Sequence, residues 1–379
     1  MKKILVQYYD RKNLGDDLFV QLLADYFPDC RINLIAERRF LYNFKNSNIH
    51  ITSIAQLRHL FSLISYHMGS NKSLEKFLKR TLAKFTDYQK TKHDAFVNIG
   101  GSIFQDKTKG KPAIDFATEE KPDFSVTSQK KAEGNTFVIG SNLGPAYSQE
   151  HWKVTRGRLD GYSHVCLRDY SSYCMVKDMK HVQYAPDVIF MAEKPQNQPK
   201  CEHVVVSVID ISRHTSDEAV IGAYYNLLRD TVVTLSAEKI PVTLVSFCKE
   251  EQDEKAINKL MKMLPDKSAV NTHFYDGDID ATMEVINSAT FVIASRFHSM
   301  ILGFSFDKPV FPFVYNCKTL NYMRDLQFVG KYATFDNICS LTSEDILYNY
   351  RNNVITDCSE HKKYAENQFR ALREYMDKL

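Results

Sequence analysis

The eight cysteines of this sequence include no CxxC pair. Cys166 and Cys174 are the closest two, while Cys30, Cys248 and Cys317 stand far apart. That spacing excludes a zinc knuckle or a dithiol redox motif and leaves buried free thiols in a reducing cytoplasm as the expectation. An excess of one charge is also lacking. Lys and Arg number 49 against 46 Asp and Glu, a net +3, which gives no reason to expect nucleic acid as a partner. No apolar run is long and uncharged enough to cross a bilayer. The opening Met1-Lys2-Lys3-Ile4-Leu5-Val6 imitates a signal peptide, but Gln7 and Asp10 cut the run short. The three-glycine fingerprint of a dinucleotide-binding turn is missing. So is any repeat of solenoid length. No metal-ligand cluster is visible, so no metal is expected.

What remains is ordinary globular material. At 379 residues, 44% hydrophobic and 25% charged, the chain can bury a core without disulfides or metal and suggests two domains or one large one. Short apolar runs alternate with stretches of helical spacing. Ile4 to Tyr8 reads as a strand. Asp10 to Asp17 follows as a polar turn, with Gly15 allowing a tight bend and Asp16 or Asp17 able to cap the helix marked by Leu18, Leu22, Leu23 and Tyr26. Arg31 to Ile35 reads as a second strand. Gln56 to Lys92 is helical in pattern, with Leu57, Leu60, Phe61 and Ile64 on one face and Leu74, Phe77, Leu78, Leu82 and Phe85 on another. The basic side of that second segment, Lys72, Lys76, Lys79, Arg80 and Lys84, suits an anionic membrane surface. It equally suits a solvated face of a helix packed on a sheet.

Ala95–Ile99 reads as a strand running into Gly100, Gly101 and Ser102, where backbone N–H groups can form an anion nest. Asp106 to Lys131 is polar and long enough to be a lid or binding loop. Thr136–Ile139 ends in the glycine-rich turn that holds Asn142 and Gly144. Val165 to Asp169 ends in Arg168 and Asp169, and Ser171 and Ser172 open a helix. Ala185-Pro186-Asp187 closes this half. Pro195 to Lys200 reads as a linker. Strands at Val204–Ile209, Val242–Phe247, His273–Tyr275, Phe291–Ala294 and Pro309–Tyr315 then alternate with helices. One runs to Glu238 behind a Thr215/Glu218 capping box, one spans Glu250–Leu264, one Ile279–Ala289 and one Met300–Phe306. Ser359 to Leu379 is helical and could cross back to the first half.

The expected fold class is therefore α/β, with two Rossmann-like domains facing a central cleft. The first spans residues 1–195, the second 200–355, and a C-terminal helix 356–379. Ligands of such sheets sit beyond the carboxyl ends of the strands. Ser295-Arg296-Phe297-His298-Ser299 occupies that place after Phe291–Ala294. Arg296 suits phosphate or carboxylate, His298 can move protons near neutrality, and the helix N-terminus behind them favours an anion. A surface loop or a buried, hydrogen-bonded histidine would explain the same two residues.

The motif series as a whole resembles the polysaccharide pyruvyl transferase family. It runs through Asn13-Leu-Gly-Asp16, Asn98-Ile-Gly-Gly101, Gly140-Ser-Asn-Leu-Gly-Pro145, Leu167-Arg-Asp-Tyr-Ser171, Ala185-Pro-Asp187, Ser295-Arg-Phe-His-Ser299 and Tyr315-Asn-Cys-Lys318. Ser102 stands where members often carry a third glycine, and Ser141-Asn142 where they often carry Gln-Ser. The resemblance implies a GT-B-like fold and transfer of pyruvate from phosphoenolpyruvate onto a sugar as a ketal, with no cofactor. It also implies a sugar acceptor, lipid-linked at the cytoplasmic face of the membrane.

The donor's phosphate and carboxylate need forked cations. Arg168 and Arg296 are the expected pair, from opposite domains, with Lys318 as a third cation and Ser295 beside them. His298 would act as general acid, and Asp16 or Asp187 would accept the sugar proton. Asn13, Gly15, Gly100, Gly101, Ser102, Asn142, Gly144 and Asp187 would line the cleft. A GT-B glycosyltransferase using a nucleotide sugar and a non-catalytic carbohydrate- or phosphate-binding protein are the alternatives.

Overall fold

A computed structural model describes residues 1–36, 41, 43–52, 72–106, 118, 120–126, 134–196 and 203–379. The first half reads, in order, β1 (Lys3–Gln7), α1 (Leu14–Tyr26), β2 (Arg31–Leu34), β3 (Ile49–Ile51), α2 (Lys72–Lys90), β4 (Ala95–Ile99), β5 (Thr136–Ser141), α3 (Gln149–Asp160), β6 (His164–Leu167), α4 (Tyr170–Cys174) and β7 (Val182–Tyr184). The second reads β8 (His203–Ser207), α5 (Glu218–Ala237), β9 (Val242–Ser246), α6 (Asp253–Met263), β10 (Val270–Phe274), α7 (Ile279–Ser288), β11 (Ala289–Ala294), α8 (Phe297–Ser305), β12 (Val310–Val314), α9 (Cys317–Asp325) and β13 (Ala333–Thr334). Then come α10 (Ser343–Arg351), α11 (Ser359–Tyr364) and α12 (Asn367–Met376).

The strands form two parallel sheets, in the orders β3-β2-β1-β4-β5-β6-β7 and β10-β9-β8-β11-β12-β13. Strands such as β4 and β9 are buried along their whole length, because helices cover both faces of a parallel sheet. In each sheet the order reverses direction once, between β1 and β4 and between β8 and β11. Those switch points open the crevices in which open α/β sheets bind ligands.

The two crevices face each other. Leu14 N–H donates to the carbonyl of Phe247 at 3.2 Å, and Asn13 bridges Cys248 in antiparallel fashion. The Asp17 carboxylate accepts from the Tyr275 hydroxyl at 2.6 Å. One apolar core joins Ile4, Leu18 and Val97 of the first half to Val205, Val292 and Met300 of the second. The chain's end returns to the first sheet. Gln368 of α12 accepts from Gly140 N–H at 2.9 Å and donates to the Ala185 carbonyl at 2.6 Å, and Phe369, Leu372 and Met376 join the shared core.

Several local expectations need correction. The α1 cap is Asn13, whose side chain accepts from Gly15 N–H; Asp16 and Asp17 lie inside the first turn, and Gly15 is helical rather than part of a bend. Asp217, not the Thr215/Glu218 pair, caps α5. The helix after β9 starts at Asp253, because residues 249–251 form a 3-10 turn and Gln252 turns left-handed at φ 72°. The helix after β11 starts three residues earlier than expected, which places His298 in its first turn. On α2, Leu82 and Phe85 pack on Leu5, Ile35 and Phe96, but Phe77 points outward at 64% exposure. Lys76, Arg80 and Lys84 are exposed. Leu57, Leu60, Phe61 and Ile64, the side chains of Lys72, Leu74 and Lys79, and most of the 106–131 loop and the 195–200 linker lie outside the described residues.

Candidate functional site

Four strand ends build the site. The loop after β1 supplies Asn13, Gly15 and Asp16, and the end of β4 supplies Gly100, Gly101 and Ser102. The end of β6 supplies Arg168, and the loop after β11 supplies Arg296 and His298. Lys318 arrives from the first turn of α9.

Arg168 is the hub. Its side chain is 2% exposed and donates through Nη1 to Asp187 Oδ2 at 2.8 Å and through Nη2 to Asn142 Oδ1 at 2.9 Å. The same Nη1 lies 3.2 Å from His298 Nε2 in the facing domain. The guanidinium also stacks 4.2 Å from the centroid of the Phe297 ring. Because a guanidinium only donates, His298 Nε2 meets it as an acceptor, which is the neutral imidazole. Burial and the charges of Arg168, Lys318 and Arg296 hold His298 well below the usual imidazole range.

Two glycines make this approach possible. A Cβ on Gly15 would lie 1.6 Å from His298 Nδ1, and one on Gly101 would lie 2.3 Å from Arg168 Nη2. Gly100 sits at φ 134°, a backbone conformation that side chains resist, and a Cβ there would press on Asp16 Oδ1 at 3.3 Å. Its N–H donates to the Ile139 carbonyl, so it is not a donor for a bound anion.

Lys318 reaches across the cleft to Ser102 Oγ at 3.2 Å. Among the described residues it has no carboxylate at ion-pair distance. Burial and the nearby Arg168 draw it down to about 8. Asp16 is pushed up to about 7 by burial and by the facing Glu251, against the pull of Arg168, Lys318 and Arg296. A carboxyl with that value can both give and take a proton near neutrality.

Other candidates serve differently from expectation. Arg296 donates through Nε to Asp253 Oδ2 at 2.9 Å and pairs through its two terminal nitrogens with Glu251 and Asp253. Its charge is already opposed by two carboxylates, so it is not the free anion fork foreseen for it. Asp187 is fully buried, pairs with Arg168 and accepts from Ile189 N–H. A carboxylate without surface cannot reach a sugar hydroxyl; it orients Arg168 instead. Ser295 is 1% exposed, with its hydroxyl against Tyr224 and its N–H on Ser207, so it braces the loop and does not line the cleft. Asn142 is likewise buried and positions Arg168. Gly144, at φ 78° before a cis Pro145, shapes the turn that carries Asn142. Sequence reasoning missed Glu251 and Asp253. Their signal was faint, an acidic Glu250-Glu251-Gln252-Asp253 run at a strand end that read simply as the start of a helix.

The profile of one family, polysaccharide pyruvyl transferase, matches residues 13–316. No curated protein sequence matches the chain. Among solved structures, UDP-GlcNAc 2-epimerase of Methanocaldococcus jannaschii, in complex with UDP-GlcNAc and UDP, is similar at 10% identity and a TM-score of 0.54, with 100% of each chain covered. The Neisseria meningitidis UDP-GlcNAc 2-epimerase bound to UDP-GlcNAc gives 11% identity and a TM-score of 0.53, again with 100% of each chain covered. TarM gives 11% and 0.50, covering 100% of this chain and 98% of its own. At such identities the likeness establishes the fold, which is GT-B-like. No helix among the described residues is long and apolar enough to cross a membrane.

Proposed function

The chain belongs to the polysaccharide pyruvyl transferase family, and from that premise we propose that it moves the pyruvyl group of phosphoenolpyruvate onto two hydroxyls of a sugar in a polysaccharide precursor, forming a ketal. The observation that carries this reading is the meeting of Arg168, His298 and Lys318 where the two switch points face each other. Phosphoenolpyruvate has a phosphate and a carboxylate on one small carbon frame, and its recognition needs converging cations.

Lys318 holds the donor in this account, with the Gly101–Ser102 turn beneath it and the charge of the buried Arg168 behind His298. Arg296 adds field from behind its two carboxylates. A bound anion lying against His298 offsets the cationic field that, with burial, keeps the imidazole neutral; Arg168 turns its Nη1 hydrogens to Asp187, and Nε2 gains a proton as the donor binds. His298 then gives that proton to the methylene carbon, and positive charge develops on the central carbon. The first sugar hydroxyl attacks there and its proton passes to Asp16. Phosphate leaves with the electrons of its C–O bond, the second hydroxyl closes the ring, and that hydroxyl's proton departs on the phosphate. The proton taken by Asp16 replaces the one given by His298. Donor and diol supply every atom of the ketal, so the reaction calls for no cofactor.

The acceptor's carrier is a lipid in this reading. The exposed Lys76, Arg80 and Lys84 of α2, with Phe77 among them, suit peripheral contact with the inner, anionic face of a membrane. The test is mass spectrometry of hexopyranosides incubated with the protein and either phosphoenolpyruvate or a nucleotide sugar. Gain of pyruvate less one water, with equimolar phosphate release, is expected. Gain of a glycosyl residue would overturn this reading in favour of a glycosyltransferase like those whose fold it shares.

A further inference from the structure

Beside the donor groups lies a second set of side chains that the reaction above leaves unused. His214, in the loop after β8, stacks on Tyr315 at the end of β12, with ring centroids 4.2 Å apart. His214 is exposed. Arg296 and Lys318 are near enough to act on its charge, as they also act on that of His298. The two histidines therefore feel the same pair of cations. The protein around one side of the ring and those cations draw His214 down to about 4, so it presents an uncharged aromatic face at neutral pH.

Tyr9, 42% exposed just after β1, shares Glu251 as a charged neighbour with His214 and has Asp16 as another. Two carboxyl groups, Asp16 and Glu251, belong to the same neighbourhood. The Asn13–Cys248 bridge and the Leu14-to-Phe247 hydrogen bond clamp the loop that holds Asp16 against the loop that holds Glu251. Glu251 engages Arg296 through one oxygen, Oε2, and its side chain keeps 27% of its surface. Arg296 holds it ionised against the upward push of burial.

Aromatic faces on the walls and a few carboxylate acceptors on the floor are what a sugar ring requires. Its C–H face packs on aromatic rings, and its hydroxyls donate to fixed oxygens. We propose that this is the acceptor site: a hexopyranose ring lies between Tyr9 and the stacked His214–Tyr315 pair, one hydroxyl donating to Glu251 and its neighbour turned toward Asp16 and the donor. The proposal rests on the pyruvyl transfer reading for its orientation but not for the binding itself. Arg296 acquires a reason here. It fixes Glu251 on the acceptor side while its charge reaches His298 on the donor side.

The experiment is ligand-observed saturation-transfer NMR with methyl hexopyranosides and phosphoenolpyruvate, on the wild type and on Tyr9→Ala, His214→Ala and Glu251→Gln. Tyr9 and His214 are exposed, so those two variants will fold. The ring C–H protons of at least one glycoside will be saturated by the wild type. The signal will weaken at least about tenfold in Tyr9→Ala and His214→Ala, and Glu251→Gln will raise the acceptor KM while leaving the phosphoenolpyruvate KM within about twofold. Equal saturation in wild type and variants, or none in the wild type, overturns the site. Saturation lost in the variants while the wild type never transfers pyruvate would keep the site and refute the donor.

Discussion

Single glycines decide whether the central side chains can meet. Adding one methyl group at Gly15 displaces His298, and adding one at Gly101 displaces Arg168, since neither ring nor guanidinium can share the space. Gly15→Ala and Gly101→Ala are therefore expected to lower kcat by about 10²-fold or more, the usual worth of a positioned acid or charge clamp; the circular-dichroism melting point should change little in Gly15→Ala and fall in Gly101→Ala, where the buried Asp187 loses its partner. Wild-type turnover in Gly15→Ala would remove His298 from the mechanism. Protonation makes a second prediction at this scale. His298 starts well below the usual range and rises when an anion binds, while Asp16 ionises near 7 and repels an anion above that. Both effects have one sign, so calorimetric affinity for phosphoenolpyruvate should fall as pH rises from about 6 to about 8. The fall should be shallower in Asp16→Asn. An affinity that rises with pH would contradict the assigned states.

Among the elements, α1 is one that joins the two halves, and Asp17 is its buried link. The carboxylate has no exposed surface, accepts from Tyr275 at 2.6 Å and Asn43 at 2.9 Å, and among the described residues Oδ1 has no partner. Burial pushes it up to about 8, against about 3.9 in an unfolded chain. Between those values the native state holds a proton that the unfolded state has lost, so stability declines as pH rises through about 4 to about 8. Asp17→Asn keeps the shape and the two accepted bonds and carries no charge. Its melting temperature should exceed the wild type's by a few degrees at about pH 8.5 and converge with it in acid; a variant less stable at every pH would show that the ionised form is the one the fold needs. None of this was legible beforehand. An Asp-Asp pair ahead of an apolar helix reads as a cap, and only the second domain's Tyr275, some 258 positions away, reveals otherwise. The strands themselves were legible, because parallel strands buried on both faces are plain apolar runs bounded by turn residues.

For the whole molecule, the cleft is the consequence of two sheets whose switch points face each other. Sequence order alone put Gly101, Arg168, Arg296 and His298 at strand ends, and hence near one rim. It could not say which cations are free, because that depends on partners from distant loops: Asp187 for Arg168, and Glu251 with Asp253 for Arg296. Lys318 is the cation whose charge those pairings leave most available, so it is the residue on which to test the donor. The measurement is thermal unfolding of the wild type and Lys318→Met, each alone, with phosphoenolpyruvate and with UDP-GlcNAc. A ligand at about a hundred times its dissociation constant adds roughly 2.7 kcal/mol to the folded state. The account predicts a clear rise in melting temperature for the wild type with phosphoenolpyruvate, a much smaller rise in Lys318→Met, and none with the nucleotide sugar. A rise with UDP-GlcNAc alone would contradict it.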